Sequence, residues 1–218
     1  MAGRLIVFEG TDGSGKSTQF ALARQALEAA GRDFRTFVYP QYQEESSALL
    51  RMYLSGQFGT HPSDVNAYAA STFFAVDRYA GYKRFWGAYY ERGGLMVLDR
   101  YTTSNAVHQS SKLTTPEREK FFRWLADFEY GILGLPAPDL VLWLDMPTSL
   151  AVANLRHREQ ETHTTGDIHE VDEAYLTACR QAAAQAADFF GWQRVPCTDG
   201  EGALRTPEDI HREILSYI

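Results

Sequence analysis

A glycine-rich loop near the start of the chain constrains its fold more than any other segment. Residues 10–17 read G-T-D-G-S-G-K-S, which fits the pattern G-x-x-x-x-G-K-[ST]. An apolar run at 5–8 precedes the loop, and apolar residues at helical spacing follow it over 17–30. In this strand–loop–helix order, backbone N–H groups at a helix N-terminus converge on phosphate oxygens. The loop therefore predicts a phosphate-binding site between a strand and a helix.

Individual residues of the loop have distinct predicted roles. Lys16 is expected to reach the β- and γ-phosphates of a nucleotide, and the Ser17 hydroxyl is expected to ligate Mg²⁺. The candidate nucleotide-binding residues are Gly10, Asp12, Gly13, Ser14, Gly15, Lys16, Ser17 and Thr18. A glycine-rich turn that matches by chance is the alternative, and the strand–helix setting disfavours it.

Further apolar runs predict the fold class. Strand-like runs lie at 5–8, 34–39, 95–98, 140–144 and 192–196. Helices are predicted at 17–30, 44–54 and 62–92, and after two Thr-Pro-Glu starts in which Thr115 and Thr206 serve as N-caps. Strands that alternate with helices, each strand almost wholly apolar, indicate an α/β fold with a five-stranded parallel sheet and helices on both faces. The length of 218 residues fits one domain.

The longest helical pattern, over 62–92, carries a stripe of side chains at helical spacing. The stripe consists of Val65, Tyr68, Ala69, Thr72, Phe73, Val76 and Ala80. Either the core of the same chain or a second copy of the chain could cover it.

Charge and cysteine content exclude several classes of protein. The sequence has 21 Lys plus Arg against 28 Asp plus Glu, a formal net charge of −7. A general binder of nucleic acid or membranes would normally carry a basic face, so any anionic ligand must be held by a local cluster of cations. Cys179 and Cys197 are too few for a disulfide framework, and no apolar run approaches membrane-spanning length. A cytoplasmic location is expected.

A second group of polar residues follows the third predicted strand. Asp99 and Arg100 lie at the carboxyl edge, where open α/β sheets bind ligands. The Asp can hold Mg²⁺ or its water, and the Arg can bridge a transferring phosphoryl group and an acceptor phosphate. Phe74 and Arg78 share a helix face at i and i+4, which suits a stacked and hydrogen-bonded nucleobase. A surface ion pair and a core aromatic are the respective alternatives.

One phosphate loop combined with a second set of phosphate-directed residues favours a small kinase. The sequence contains no Asn-Lys-x-Asp motif of the kind with which GTPases read their base. ATP-driven motors are usually larger than this chain.

These motifs together resemble the thymidylate kinases, which transfer the γ-phosphate of ATP to dTMP. The resemblance rests on F-E-G-T-D-G-S-G-K-S-T-Q at 8–19, F-A-V-D-R at 74–78, D-R-Y at 99–101 with Ser104-Asn105 beyond it, and P-D-L at 138–140 before Leu144-Asp145. It implies a P-loop α/β/α domain over 1–218 with a small mobile lid at about 155–170. It also implies ATP, dTMP and Mg²⁺ as ligands and a homodimer as the assembly.

The resemblance also implies residue roles, which we carry over by position. Asp12 would contact the acceptor side or the Mg²⁺ network, with Ser17 and Asp99 as the other metal-site candidates. Phe74 would stack on thymine, Arg78 would bond its O4 and Asn105 would reach the base. Arg100 would bind the dTMP phosphate. The remaining implied residues are Tyr42, His108 and Gln109 in the substrate pocket, Arg156 and Arg158 as catalytic lid arginines, and Asp167 and Glu170 near the sugar and the metal.

Two other functions stay open at this point. A kinase for another nucleotide or for a deoxynucleoside is one, and for a 5′-hydroxyl acceptor Glu9 could be proposed as the carboxylate base. A nucleotide-binding protein without catalysis is the other; the sparse arginines of the implied lid favour it, while Lys16, Ser17, Asp99 and Arg100 oppose it.

Overall fold

A parallel sheet of five strands organises the molecule. The computed structural model describes residues 2–162 and 173–218, the side chains of 158–162 excepted. The strands are β1 (Arg4–Glu9), β2 (Phe34–Val38), β3 (Leu95–Asp99), β4 (Leu140–Asp145) and β5 (Gln193–Pro196), in the spatial order β2-β3-β1-β4-β5. All neighbours pair in parallel, which confirms the five predicted strands and the α/β class.

Helices cover both faces of this sheet. The α-helices are α1 (Lys16–Ala29), α2 (Ala48–Leu54), α3 (Ala67–Gly81), α4 (Gly87–Glu91), α5 (Thr102–Ser104), α6 (Thr115–Ala126), α7 (Thr148–Thr162), α8 (Glu173–Phe190) and α9 (Pro207–Leu215). Shorter 3₁₀ segments lie at Glu45–Ser47, Pro62–Asp64 and Ser110–Lys112, and π-helical segments at Tyr82–Trp86, Asn105–Gln109 and Asp127–Ile132. No helix among the described residues is long and apolar enough to cross a membrane.

The central strand shows why the sequence folds into three layers. Ile6 and Phe8 of β1 belong to one core cluster, whereas Leu5 and Val7 belong to another. Successive side chains of a strand point to opposite faces. A strand that is apolar at every position must therefore be covered on both faces, as a parallel sheet is.

The prediction of one helix over 62–92 is wrong. The segment begins with a 3₁₀ turn, and α3 starts only after Asn66, whose Oδ1 accepts a hydrogen bond from the N–H of Ala69 at 2.9 Å. Asn favours this capping role because its side chain satisfies a backbone N–H that has no partner within the helix. A π-helical segment from Tyr82 to Trp86 then separates α3 from α4.

The buried face of α3 also differs from the predicted stripe. The buried residues of the helix are Ala67, Ala70, Ser71, Ala75, Asp77, Arg78 and Gly81. The stripe residues are half-buried, apart from Val76, which is 52% exposed. Three polar residues, Ser71, Asp77 and Arg78, thus take buried positions that a hydrophobic pattern could not reveal.

The two predicted Thr-Pro-Glu helix starts have different outcomes. Thr206 caps α9, and its hydroxyl accepts from the N–H of Asp209 at 3.1 Å, as expected. At α6 the N-cap is Thr114 rather than Thr115, since Glu117 accepts a hydrogen bond from the backbone N–H of Thr114 at 2.9 Å. This capping box needs the Glu three residues after the cap, which selects the earlier Thr.

Candidate active site

The glycine-rich loop after β1 takes its shape from two glycines and a neighbouring helix. Gly13 and Gly15 adopt left-handed backbone angles, φ +78° and +80°, which favour glycine. A Cβ on Gly13 would also lie 2.2 Å from the carbonyl oxygen of Ala151 in α7. Asn154 of the same helix donates from Nδ2 to the Gly13 carbonyl at 2.8 Å. Helix α7 therefore holds the loop at the N-terminus of α1.

A pocket opens over this loop, and we call it the loop pocket. Its floor is residues 11–19, and its walls are Leu144, Met146, Asn154, Leu155, Leu204, Arg205, Pro207 and Ile210. All the predicted nucleotide-binding residues except Gly10 line it. Gly10 lies just beneath, where a Cβ would be 2.5 Å from the Ser14 hydroxyl oxygen. Loop and walls together form a concave site at a helix N-terminus, which favours anionic groups.

Lys16 is buried beside the carboxyl end of β3. Its Nζ forms an ion pair with Asp99, and both side chains are almost fully buried. Burial and the positive charge of Arg100 lower the pKa of Lys16, while the Asp99 carboxylate acts in the opposite direction. The charge of Lys16 is therefore held close to a carboxylate in a site with little solvent.

Arg100 has an unusual backbone that turns its side chain into the same region. Its φ is +64°, and among the described residues it is the one non-glycine with a positive φ. Its N–H donates to the Phe8 carbonyl at 3.0 Å, which fixes this turn against β1. Its guanidinium lies 2.5 Å from Asp12 Oδ1 and 3.7 Å from Glu9 Oε1. Burial would lower the pKa of Arg100, but the carboxylates of Asp12 and Glu9 outweigh it and raise the pKa.

Glu9 is a wholly buried carboxylate whose oxygens are already engaged. Oε1 accepts from the Gly10 N–H at 3.0 Å. Oε2 accepts from the hydroxyls of Thr103 at 2.6 Å and Ser104 at 2.7 Å. These three hydrogen bonds fix the position of the carboxylate beneath Arg100. Glu9 is thus arranged as a support for the site.

A second pocket adjoins Arg100, and we call it the arginine pocket because Arg78 and Arg100 both line it. The other lining residues are Asp12, Lys16, Val38, Tyr39, Pro40, Tyr42, Leu54, Phe74, Asp77, Asp99, Tyr101, Ser104, Asn105, His108 and Gln109. All the predicted substrate-binding residues that the structure describes are in this set. The sequence motifs of α3 and β3 therefore do converge on one cavity.

A buried carboxylate orders the far end of the arginine pocket. Glu129 accepts from Arg78 through both oxygens, at 2.7 Å from Nε and 2.6 Å from Nη2. Asn105 donates from Nδ2 to Glu129 Oε1 at 3.0 Å and to the Ser71 carbonyl at 3.1 Å. Phe74, half-buried, contributes its ring to the pocket and contacts Tyr53 edge-on at 6.2 Å between centroids. An aromatic face, a guanidinium and an amide thus meet at one end.

His108 connects the arginine pocket to α8. Its Nε2 lies 3.0 Å from Arg100 Nη1, and its Nδ1 lies 3.2 Å from the Tyr175 hydroxyl. The two rings also stack, with 6.3 Å between centroids. Gln109 is buried in the same wall, whereas Tyr42 is 47% exposed at the pocket mouth.

The two pockets meet at the residues between their floors. Asp12 and Lys16 line both of them. Ligands in the two pockets would therefore face each other across a lysine and a carboxylate. Arg156 lies apart from this junction, exposed on α7 and in the lining of neither pocket. The predicted roles of the Arg158 side chain, Asp167 and Glu170 fall outside what the structure describes, as do residues 163–170 of the implied lid.

Comparison with known proteins identifies the family of this chain. The family model for thymidylate kinase matches residues 8–195. The chain belongs to the thymidylate kinase family. It is 35% identical over 158 residues to a thymidylate kinase from Mycobacterium tuberculosis, covering 72% of each chain. It is 31% identical over 182 residues to one from Akkermansia muciniphila, covering 84% of this chain and 78% of the relative.

A solved structure supports the fold independently. A thymidylate kinase from Candida albicans superposes with a TM-score of 0.70 at 18% identity, covering 100% of this chain and 91% of the other. Both the resemblance inferred from the motifs and the α/β architecture are therefore confirmed.

Sequence reasoning missed several residues of this family member's site. Glu129 lies in a π-helical segment with no motif around it, and only its burial beside Arg78 reveals it. Arg205 lines the loop pocket, where Glu213 at 2.6 Å and the Pro196 carbonyl at 2.7 Å hold its guanidinium. A basic residue directly before the Thr206 helix cap was the one signal that could have drawn attention to it.

The oxygen donors near the junction suit a magnesium ion. Mg²⁺ prefers hard oxygen ligands and usually takes one or two protein carboxylates or hydroxyls, with phosphates and water completing its shell. Ser17 lines the loop pocket at the start of α1, and the Asp99 carboxylate lies beside Lys16. Among the described residues no three His, Cys, Asp or Glu side chains cluster as a metal site, so an all-protein cage is not formed there. The donor set fits an ion held jointly with nucleotide phosphates.

Proposed function

We propose that this chain transfers the γ-phosphoryl group of ATP to dTMP, which yields dTDP and ADP. The observation that carries the proposal is the junction of two pockets at Asp12 and Lys16. One pocket is built over a phosphate loop, and the other combines Arg100 with an aromatic face and hydrogen-bonding groups. A nucleoside triphosphate in the first and a nucleoside monophosphate in the second would place donor and acceptor phosphates together. Family membership supports the same reaction.

The transfer on this proposal depends on alignment and charge neutralisation. The acceptor is a phosphate, which is already nucleophilic near neutral pH, so no general base is required. Lys16 and the backbone N–H groups of the loop bind the donor phosphates, and Arg100 orients the acceptor phosphate. Asp12 contacts Arg100 and fixes the direction of its guanidinium. Arg156 is exposed on α7 outside both pocket linings, so its role as a catalytic lid arginine stays a prediction.

The state of Glu9 argues against the deoxynucleoside kinase alternative. A base for a 5′-hydroxyl must offer a free carboxylate oxygen within hydrogen-bonding reach of that hydroxyl. Glu9 is 0% exposed, accepts three hydrogen bonds, and is not among the residues that line the arginine pocket. A monophosphate acceptor, which needs no such base, therefore fits better.

Magnesium is part of the proposal, with Ser17 and Asp99 as its protein ligands and Asp12 nearby. When bound, the ion would neutralise charge on the β- and γ-phosphates. A titration of activity with Mg²⁺ in wild type and in Asp99→Asn tests this assignment. We expect the variant to need a higher Mg²⁺ concentration for half-maximal rate, and an unchanged requirement would contradict the role of Asp99.

A coupled assay of ADP formation tests the reaction itself. The acceptors dTMP, dUMP, dCMP and thymidine are compared at equal concentration. We expect turnover with dTMP, and a loss of about 10³-fold or more in Lys16→Ala, on the scale of cation effects in phosphoryl transfer. Arg123→Ala, which removes an exposed arginine of α6, serves as the control and should keep wild-type activity. Absence of turnover with every acceptor would leave nucleotide binding without catalysis as the function.

We further propose that the chain forms a homodimer through the outer face of α3. The same chain covers the predicted stripe only in part: Val76 within it is 52% exposed, and its neighbour Tyr79 on the same helix is 40% exposed. Exposed apolar side chains grouped on one helix favour association. Sedimentation of Val76→Asp should give a smaller species than wild type. Leu215→Asp, an equally polar change of an exposed leucine on α9, should not, and a monomeric wild type would refute the dimer.

The proposal has two further parts. The chain forms a single kinase domain over 1–218, and it works in the reducing environment of the cytoplasm. Both cysteines, Cys179 and Cys197, are buried and free. Burial raises the pKa of each thiol, to about 11 and about 12 respectively, so neither is activated for oxidation. Fractionation of cells that express the tagged chain tests the location, and recovery with membranes or in a culture medium would contradict it.

A further inference from the structure

A residue outside the arginine pocket determines which hydrogen-bond donors and acceptors the pocket presents, and we call this arrangement the polarity of the pocket. Glu129 is 0% exposed and does not line the cavity. It nevertheless contacts two residues that do, Arg78 and Asn105. Its orientation therefore decides which atoms those two residues present to a ligand.

Arg78 presents one particular end of its guanidinium to the pocket. Nε and Nη2 both donate to Glu129, in a bidentate arrangement with distances of 2.7 and 2.6 Å. Among the described residues Nη1 has no acceptor. The carboxylate raises the pKa of Arg78 against the opposing effect of burial, so the group stays a cation and can only donate. This end of the pocket thus offers an N–H donor.

Asn105 presents the opposite polarity. A primary amide has two N–H donors on nitrogen, and Nδ2 directs them to Glu129 Oε1 and to the Ser71 carbonyl. Both partners can only accept, so rotating the amide by 180° would place Oδ1 against two acceptors. The network therefore fixes the amide orientation. No hydrogen bond within the described part of the chain uses Oδ1, which is left as an acceptor.

A donor beside an acceptor matches one class of pyrimidine. Thymine and uracil carry a C4 carbonyl, which accepts, next to N3–H, which donates. Cytosine carries a C4 amino group, which donates, next to an unprotonated N3, which accepts. A cytosine in the same orientation would face Arg78 with a donor and Asn105 with an acceptor, so both contacts would be repulsive.

We propose that Glu129 is a positioning residue that sets the polarity of the base site and so selects 4-oxo over 4-amino pyrimidines. It acts through Arg78 and Asn105 and does not touch the substrate. The proposal rests on the assignment of dTMP as acceptor.

Glu129→Gln tests the proposal because it keeps the shape and removes an acceptor. The Gln amide must turn an NH₂ toward Arg78 or Asn105, both of which need an acceptor there. The readout is the ratio of kcat/KM for dTMP to that for dCMP. We expect the ratio to fall at least about 10-fold, since a well-placed pair of hydrogen bonds discriminates bases by that much or more. A loss of activity that is parallel for both acceptors would overturn the proposal and leave Glu129 with a structural role.

Asp145→Asn is the matched control. Asp145 is also a buried carboxylate that contacts arginines, with Arg180 Nε at 2.7 Å and Arg194 as its second partner. It lines neither the loop pocket nor the arginine pocket. This variant should lose stability and keep the wild-type ratio of acceptors. A changed ratio in the control would show that loss of any buried carboxylate alters selectivity, which would also overturn the proposal.

Two further measurements decide the matter if Glu129→Gln fails to fold. In wild type, 3-methylthymidine monophosphate lacks the N3–H and should bind at least about 10-fold more weakly than dTMP, whereas equal binding would refute the acceptor role of Asn105. Glu129→Asp keeps the charge and both acceptor oxygens, and should keep a preference for dTMP; a lost preference despite the retained charge would refute the polarity argument. Failure of wild type to phosphorylate dTMP at all would instead refute the proposed function.

Discussion

Replacing Arg100 by glycine and by alanine separates the role of its side chain in activity from the free-energy cost of its backbone conformation. Both variants remove the guanidinium that contacts Asp12 and His108. They differ at the backbone, because φ at this position is +64°. Glycine adopts that angle freely, whereas any residue with a Cβ is strained there. Comparison of the two variants therefore isolates the backbone contribution.

The magnitudes follow from the two roles. Loss of the guanidinium should lower kcat/KM by about 10³-fold in both variants, equivalent to about 4 kcal/mol of transition-state stabilisation. The left-handed conformation costs a residue with a Cβ roughly 1–2 kcal/mol. Glycine also increases the conformational entropy of the unfolded chain, which lowers the stability of that variant by roughly 0.4–1 kcal/mol and offsets part of the difference. Arg100→Gly should therefore be more stable than Arg100→Ala by about 1 kcal/mol.

Urea unfolding of both variants, followed by tryptophan fluorescence, measures this difference, and thermal unfolding should show it as roughly 2–4 °C in Tm. The coupled assay measures the loss of activity. Equal stabilities, or greater stability of Arg100→Ala, would refute the reasoning about the strained backbone. Near-normal turnover in either variant would refute the role of the guanidinium.

Two further predictions concern stability. Burial lowers the pKa of Lys112 to about 8, below its value of about 10.4 in the unfolded chain. Folding thus disfavours the charged form of Lys112 by at most roughly 3 kcal/mol, and the partial exposure of the side chain reduces this cost. The cost is present below pH 8, and it is relieved as the pH rises toward 10.4. Lys112→Met should flatten the rise of the free energy of unfolding above pH 8; an unchanged pH profile would contradict this. Asn66→Ala removes the cap of α3 and should cost about 1 kcal/mol in urea unfolding, whereas Asn66→Gly should cost only a few tenths; equal losses would contradict the capping role.

The fold was predictable because its signals are local. The inner strands β1, β3 and β4 are short apolar runs, and each predicted run lies within a few residues of the observed boundaries, as at β1 and β4. The pattern of the phosphate loop adds the order strand–loop–helix. Hydrophobic periodicity failed over 62–92, because it does not register the N-cap at Asn66 or the π-helical turn at Tyr82–Trp86.

The residues of the site divide in the same way, into those that have a local signal in the sequence and those that do not. Residues carried by motifs, such as Lys16, Arg78 and Arg100, lie together on the pockets. Of the carboxylates that hold them, Asp12 and Asp99 belong to the motifs, whereas the supporting positions of Glu9 and Glu129 have no signal in the sequence. Glu9 occupies the last position of an apolar strand, and Glu129 follows an amphipathic helix. A buried carboxylate can be identified only from the groups that it contacts. Groups that are distant in the sequence become neighbours only in the folded chain.

Charge pairing in the arginine pocket explains how an acidic chain can bind anions. Each described cation of the junction is already held by a carboxylate, Lys16 by Asp99 and Arg100 by Asp12. The carboxylate partner offsets part of the cost of burying the cation, and it sets the direction of the cation before a ligand arrives. The Arg100–Asp12 pair is partly exposed, with 16% and 22% of the side chains accessible, so a phosphate of higher charge can share or replace the carboxylate contact.

The Arg78–Glu129 pair is different, since 3% and 0% of these side chains are exposed. Breaking such a buried pair would leave an uncompensated charge and cost about 3–5 kcal/mol. A ligand at this end can therefore bind only to atoms that the ion pair does not use. A neutral carbonyl can accept from the remaining N–H without competing for the cation, whereas a phosphate could not be neutralised there. The depth of each ion pair thus supports the proposed placement of the phosphate at one end of the pocket and of the base at the other.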